Sequence, residues 1–126
     1  VRLLLDTHIV IWQQQGELNR FASALETVRA AEQVLVSAIS FTEIGIKASV
    51  GKLRLPEDLH RRVLESGARM LAVSPEHGLG VAELPLHHRD PFDRLLISQA
   101  RHEGLTILTA DPHFAAYDVP VLLASS

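Results

Sequence analysis

The sequence predicts an α/β domain, with a central, mostly parallel sheet of about four to five strands and helices on both faces. Three observations predict it. Short apolar runs rich in Leu, Ile and Val alternate along the chain with longer amphipathic stretches. The length, 126 residues, suits one domain of the usual ~150-residue class, and 1–126 is expected to form a single domain. Apolar residues make up 47% and charged residues 21%, which supplies a packed core and excludes a disordered chain.

Each element has its own signal. Leu3 to Leu5 is a short apolar strand ending at Asp6, followed by a short helix through Ile9 and Trp12. Leu18, Phe21, Leu25 and Val28 recur at helical spacing across Glu17–Ala31. Val34 to Val36 is a second strand by its β-branched residues. Ser40 opens a helix to about Val50, and Gly51 stops it. A helix from Pro56 carries Leu59, Val63 and Leu64 on one side, with Gly67 beyond its end. Met70 to Val73 is a third apolar run, and a short helix follows Pro75 and closes at Leu84-Pro85. Pro91 to Glu103, ended by Gly104, is the clearest helix; Leu105–Leu108 and Val119–Leu123 are the last strands.

Composition excludes several chemistries. With no Cys, there is no disulfide framework, no thiolate metal site and no cysteine nucleophile. Twelve Lys+Arg against 15 Asp+Glu leave a net charge of −3, so no global positive field draws the chain to nucleic acid. No run reaches the roughly 18 apolar residues of a membrane span, and the opening Leu3-Leu4-Leu5 is too short for a secretory signal. A soluble protein of the cytoplasm is expected.

The acids carry the functional signal. Asp6 ends the first strand, Glu43 lies in the first turn of the Ser40 helix, Asp90 and Asp93 bracket the start of the Pro91 helix, and Asp111 follows the Leu105–Thr109 strand. In an open parallel sheet, strand C-termini and the following helix N-termini share the edge where ligands bind. Distant stretches therefore deliver Asp6, Glu43, Asp93 and Asp111 to one region. Each acid alone has a plainer explanation: Ser40-Phe41-Thr42-Glu43 fits a capping box, Asp90 and Asp111 precede prolines as helix N-caps, and Asp93 suits a helix dipole. As a set they are costly, because two like charges 4 Å apart repel by roughly 4 kcal/mol at an effective dielectric of 20. Such a group must protonate or hold a cation, and oxygen ligands without Cys suit Mg²⁺ or Mn²⁺ at a phosphodiester-cleaving site.

Four stretches carry a family resemblance: Leu3-Leu4-Leu5-Asp6-Thr7-His8; Ser40-Phe41-Thr42-Glu43-Ile44-Gly45-Ile46-Lys47; His88-Arg89-Asp90-Pro91-Phe92-Asp93-Arg94-Leu95-Leu96-Ile97-Ser98-Gln99-Ala100; and Leu108-Thr109-Ala110-Asp111. Together they resemble PIN-domain ribonucleases, specifically the VapC-type toxins of bacterial toxin–antitoxin pairs. The resemblance implies a PIN-like three-layer fold and a metal site of Asp6, Glu43, Asp93 and Asp111. It implies RNA cleavage by an endoribonuclease, a homodimer, and a cognate antitoxin that covers the active groove in a larger assembly. Asp90 is extra in this subgroup, and its expected role is the N-cap, with support of the metal ligands as the alternative.

Other residues have two readings each. Lys47, Lys52, Arg54, Arg61 and Arg62 outnumber Glu57 and Asp58, giving either a solvated face or a track for RNA phosphates. Arg89 and Arg94 either clamp phosphate or pair with Asp90 and Asp93. The hydroxyls of Thr7 and Thr109 either bond carboxylate oxygens or make a simple cap or turn contact. His8 is expected to pack or cap, although it lies near enough to Asp6 to touch substrate. His87-His88 point apart as neighbours, and without Cys or a His-x-x-x-His spacing a zinc site is not expected. Trp12, Phe21, Phe41, Phe92 and Phe114 fall on apolar faces and are expected in a core or dimer interface rather than stacked on RNA bases. Two rival functions are a non-catalytic PIN-fold interaction protein and a Mg²⁺-dependent phosphatase, though the latter's second Asp is replaced by His8.

Overall fold

The computed structural model describes residues 1–126. Five strands, β1 (Arg2–Leu5), β2 (Gln33–Ser37), β3 (Arg69–Leu71), β4 (Thr106–Thr109) and β5 (Val121–Leu123), form one all-parallel sheet in the order β3-β2-β1-β4-β5. The six helices are α1 (Thr7–Gln14), α2 (Leu25–Ala30), α3 (Ala38–Ser49), α4 (Leu59–Glu65), α5 (Pro75–Gly80) and α6 (Pro91–Glu103). Three short 3-10 segments, Leu18–Ala24, Val81–Glu83 and Pro112–Ala116, complete the chain. No helix is long and apolar enough to cross a membrane.

Side-chain alternation along the strands divides the interior into two layers. Leu3, Leu5, Val36 and Leu108 pack with Ile9 and Val10 of α1, Ile44 of α3, and Leu59 and Val63 of α4. Leu4, Leu35 and Ile107 pack on the other face with Leu96, Ile97 and Ala100 of α6, and with Phe114 and Tyr117. Register places Leu4 opposite Leu35 on one side and Ile107 on the other, so β1 is buried on both faces and both edges. The strand order runs outward from β1 first through β2 and β3, then through β4 and β5. That reversal is a topological switch point, where the C-terminal ends of β1 and β4 open a crevice.

Local departures from the expected elements have physical causes. The Glu17–Ala31 stretch is not one helix: Phe21 adopts φ −131° and ψ 35°, and the chain passes from a 3-10 segment into α2 with Phe21 and Ala24 buried. Helix α3 begins at Ala38, not Ser40, because the chain turns straight out of β2 and Ser37 Oγ accepts the Ile39 amide at 3.2 Å. Pro56 does not start α4, which begins at Leu59. Helix α6 has the expected bounds, with Asp90 as N-cap, and Gly104 takes the left-handed conformation (φ 68°) that lets the chain turn directly into β4.

Leu4→Ala should cost about 2–5 kcal/mol, since the side chain is fully buried between β2, β4 and α6. Urea denaturation measures it; a loss below about 1 kcal/mol would contradict this packing.

Candidate active site at the carboxylate edge

The crevice at the ends of β1 and β4 gathers the predicted acids. Asp6 leaves β1 with its amide bonded to the Leu108 carbonyl at 2.9 Å, which fixes it beside β4. Its side chain is 2% exposed and makes no capping bond to α1. Asp6 Oδ2 instead accepts the Thr109 hydroxyl at 2.7 Å, while Oδ1 is buried with no hydrogen-bond partner. Of the two threonines, Thr109 bonds a carboxylate and Thr7 does not: Thr7 Oγ1 donates to Ser40 Oγ at 2.9 Å, tying the start of α1 to α3.

Glu43 is not part of a capping box. With the helix starting at Ala38, Glu43 falls in the second turn and its side chain is buried. Lys47, one turn further on, holds Oε2 at 3.3 Å, and Oε1 has no partner. The same ammonium donates to His8 Nε2 at 3.5 Å, and His8 Nδ1 lies 3.9 Å from Asp6 Oδ2. The nearby Asp6 carboxylate raises the His8 pKa above its ordinary value despite partial burial.

Asp93, in the first turn of α6, places Oδ2 in hydrogen-bond contact with His88 Nε2 at 2.7 Å. Asp111 Oδ2 lies 3.8 Å from the same nitrogen, and its Oδ1 accepts the His113 amide at 2.9 Å and the His113 ring at 2.8 Å. Burial pushes the Asp111 carboxyl up, but the His113 amide, ring and charge outweigh it and hold the group below its usual range. Burial, reinforced by the charges of Asp6 and Asp90, pushes Asp93 the other way, up to about 7, against the opposing pull of His88. Thr109 links Asp6 to the Asp111 amide, His88 lies between Asp93 and Asp111, and Glu43 approaches Asp6 through Lys47 and His8. The ligand atoms within 4.8 Å of one another are those of His88, Asp93 and Asp111, without Asp6 or Glu43.

The remaining candidates divide. Asp90 caps α6: its Oδ1 accepts the amides of Phe92 at 2.8 Å and Asp93 at 3.2 Å. Arg94 pairs with neither acid. Its guanidinium donates to the carbonyls of Val81, Leu84, Pro85 and His88 and to the Tyr117 hydroxyl, at 3.0 to 3.3 Å, so it pins the loop before α6 and is not free to clamp phosphate. Arg89 is exposed in that loop. Arg61 and Arg62 are engaged by Asp58 at 2.7 and 2.8 Å, which favours a self-paired helix face over a phosphate track. Reasoning from sequence missed His88, because only one member of a His pair needs to face the acids.

A divalent cation fits this donor set. Two buried carboxylate oxygens without partners, on Asp6 and Glu43, and a ligand cluster of His88, Asp93 and Asp111 within 4.8 Å of one another match a hard, oxygen-rich site. Without a cation, the protonated Asp93 carboxyl stabilises the fold fully below pH 3.8, and that contribution is lost as pH rises to about 7. Metal-free wild type should therefore lose thermal stability across this window relative to Asp93→Asn, which stays neutral. Parallel melting-temperature profiles for the two proteins would contradict the burial assigned to Asp93.

Comparison with known proteins agrees with this architecture. A family model described as PIN domain matches residues 3–120. The chain is 25% identical over 121 residues to Ribonuclease VapC22 of Mycobacterium tuberculosis (strain ATCC 25618 / H37Rv), covering 94% of this chain and 93% of that protein. Its fold matches the crystal structure of VapBC2 from Rickettsia felis bound to a DNA fragment from their promoter, with a TM-score of 0.76, 17% identity and coverage of 99% of this chain and 100% of that one. A toxin–antitoxin complex from Klebsiella pneumoniae matches with a TM-score of 0.65 and 19% identity over 95% of each chain. With the family pattern spanning nearly the whole chain and the acids gathered at the switch point of its sheet, this chain belongs to the PIN domain family.

Proposed function

We propose that this chain is a VapC-type ribonuclease toxin: an endoribonuclease that hydrolyses RNA phosphodiester bonds with Mg²⁺ or Mn²⁺ and is neutralised by a cognate antitoxin. The observation that carries the proposal is the cluster of His88, Asp93 and Asp111 ligand atoms within 4.8 Å of one another, joined to Asp6 through Thr109, with an oxygen of Asp6 and one of Glu43 buried and unpartnered. The similarity to a protein named a ribonuclease supports the nuclease reading. Residues 1–126 are read as a single PIN domain working in the cytoplasm as a homodimer, and in a larger assembly once the antitoxin is bound.

Asp6, Asp93 and Asp111 would hold the ion, and Glu43 would hold a second ion or orient the attacking water. When bound, the cation supplies polarisation of the scissile phosphate and a bound water of lowered pKa. The protein's part is positional. Thr109 fixes the rotamer of Asp6, and the Asp90 cap fixes the first turn of α6 and so the backbone of Asp93. Lys47 keeps a positive charge beside Glu43 at the rim of the acids, which reduces their repulsion of an incoming phosphate. Exposed Arg89 is the arginine of this edge that remains available to the RNA backbone.

The test is cleavage of a mixed RNA pool by the purified protein, with EDTA controls and a generic phosphomonoester alongside. Asp6→Asn and Asp93→Asn should each lower RNA cleavage by more than about 100-fold, beyond what loss of an outer-sphere partner costs, with the fold intact by circular dichroism. Metal-dependent cleavage retained by both variants would overturn the site. No cleavage by wild type would favour a pairing module, and turnover of the phosphomonoester a phosphatase.

A further inference from the structure

Resting on the metal-dependent reading above, we propose that His88 is itself a ligand of the cation site: Nε2 joins the oxygens of Asp6, Asp93 and Asp111, adding a nitrogen donor that shifts preference from Mg²⁺ toward transition-metal ions such as Co²⁺.

The three donor atoms of His88, Asp93 and Asp111 lie close enough for small side-chain shifts to bring them around one ion. An octahedral site with bonds of about 2.1 Å sets neighbouring ligand atoms about 3.0 Å apart and opposite ones about 4.2 Å apart. His88 Nε2 lies 2.7 Å from Asp93 Oδ2 and 3.8 Å from Asp111 Oδ2, and the three donor atoms are within 4.8 Å of one another. The proton shared between Nε2 and Asp93 stands where a cation would bridge the same two atoms. Ligation would use Nε2 as the electron-pair donor, with the ring proton carried on Nδ1.

His88 is also held in place by contacts other than Asp93. Its amide donates to the Tyr117 hydroxyl at 2.8 Å, and its carbonyl accepts Arg94 Nη1 at 3.3 Å. The ring stacks on His113, with centroids 5.4 Å apart and planes inclined by 17°. The buried phenol of Tyr117 and the carbonyl-binding guanidinium of Arg94 thus give a second function to residues otherwise explained only by packing. The other imidazoles at this edge each face one acid: His8 faces Asp6 and His113 faces Asp111, whereas His88 lies between two. Chemically, imidazole binds later divalent ions in preference to Mg²⁺, which favours oxygen and keeps its waters.

The test is calorimetric titration of metal-free wild type, His88→Ala and Asp93→Asn with Co²⁺ and with Mg²⁺, supported by the visible Co²⁺ spectrum. His88→Ala should weaken Co²⁺ binding at least about 10-fold and Mg²⁺ binding less than about 3-fold, and should alter the Co²⁺ absorption bands. If wild type binds both ions through Asp93 but His88→Ala leaves the Co²⁺/Mg²⁺ ratio and spectrum unchanged, the His88 assignment is overturned and the metal-dependent reading survives. If wild type binds neither ion, both fall. Should His88→Ala not fold, ¹⁵N-histidine spectra of wild type decide: a Zn²⁺-induced shift of the His88 Nε2 resonance supports ligation, and its absence overturns it.

Discussion

Repulsion between carboxylates at one buried edge is the constraint around which this molecule is arranged. Each unscreened pair at 4 Å costs roughly 4 kcal/mol at an effective dielectric of 20, comparable to much of a small domain's net stability. The structure answers with a partner residue for each acid: Thr109 for Asp6, Lys47 for Glu43, His88 for Asp93 and His113 for Asp111. Those partners reduce the strain without removing it. One oxygen each of Asp6 and Glu43 stays buried and unmatched, and burial pushes the Asp93 carboxyl up to about 7. A cluster balanced in this way is primed for a divalent charge.

The fold supplies the crowding. Placing β1 at the centre of an all-parallel sheet, with β2 and β3 on one side and β4 and β5 on the other, brings residues 6 and 111 to neighbouring strand ends. Helix α6 packs over the face made by Leu4, Leu35 and Ile107, and α3 follows β2 directly, so Asp93 and Glu43 reach the same edge from helices of opposite approach. The cost of assembling the acids is thus met by burial of two apolar layers, one on each face of the sheet. Arg94 belongs to this scaffold: beside Asp93 in sequence, it is spent on carbonyls of the 81–88 segment and so holds the loop that carries His88.

Much of this was legible in the sequence because period and position report directly on backbone geometry. The Leu3–Leu5 run, the Asp90-Pro91 cap and Gly104 mark their elements unambiguously, and the alternation of strand and helix places Asp6, Asp93 and Asp111 at one edge. What remained hidden depends on tertiary direction. The Ser40–Glu43 spacing imitates a capping box, yet the tight turn at Ser37 starts the helix earlier and turns Glu43 inward. Phe21 sits at a helical interval, but its burial is reached through a kink. A guanidinium beside two acids suggests an ion pair; only the path of the 81–88 loop shows that carbonyls reach it first. His88 was obscured by its neighbour, since adjacency says that two rings diverge without saying which one meets the acids.

That these carboxylates form one cation-binding centre at the β1/β4 switch point is tested most directly by anomalous diffraction from crystals grown with Mn²⁺. The strongest anomalous peak should lie within about 2.0–2.4 Å of carboxylate oxygens of both Asp6 and Asp93. A peak bound only to surface residues, or none at this edge, would contradict it.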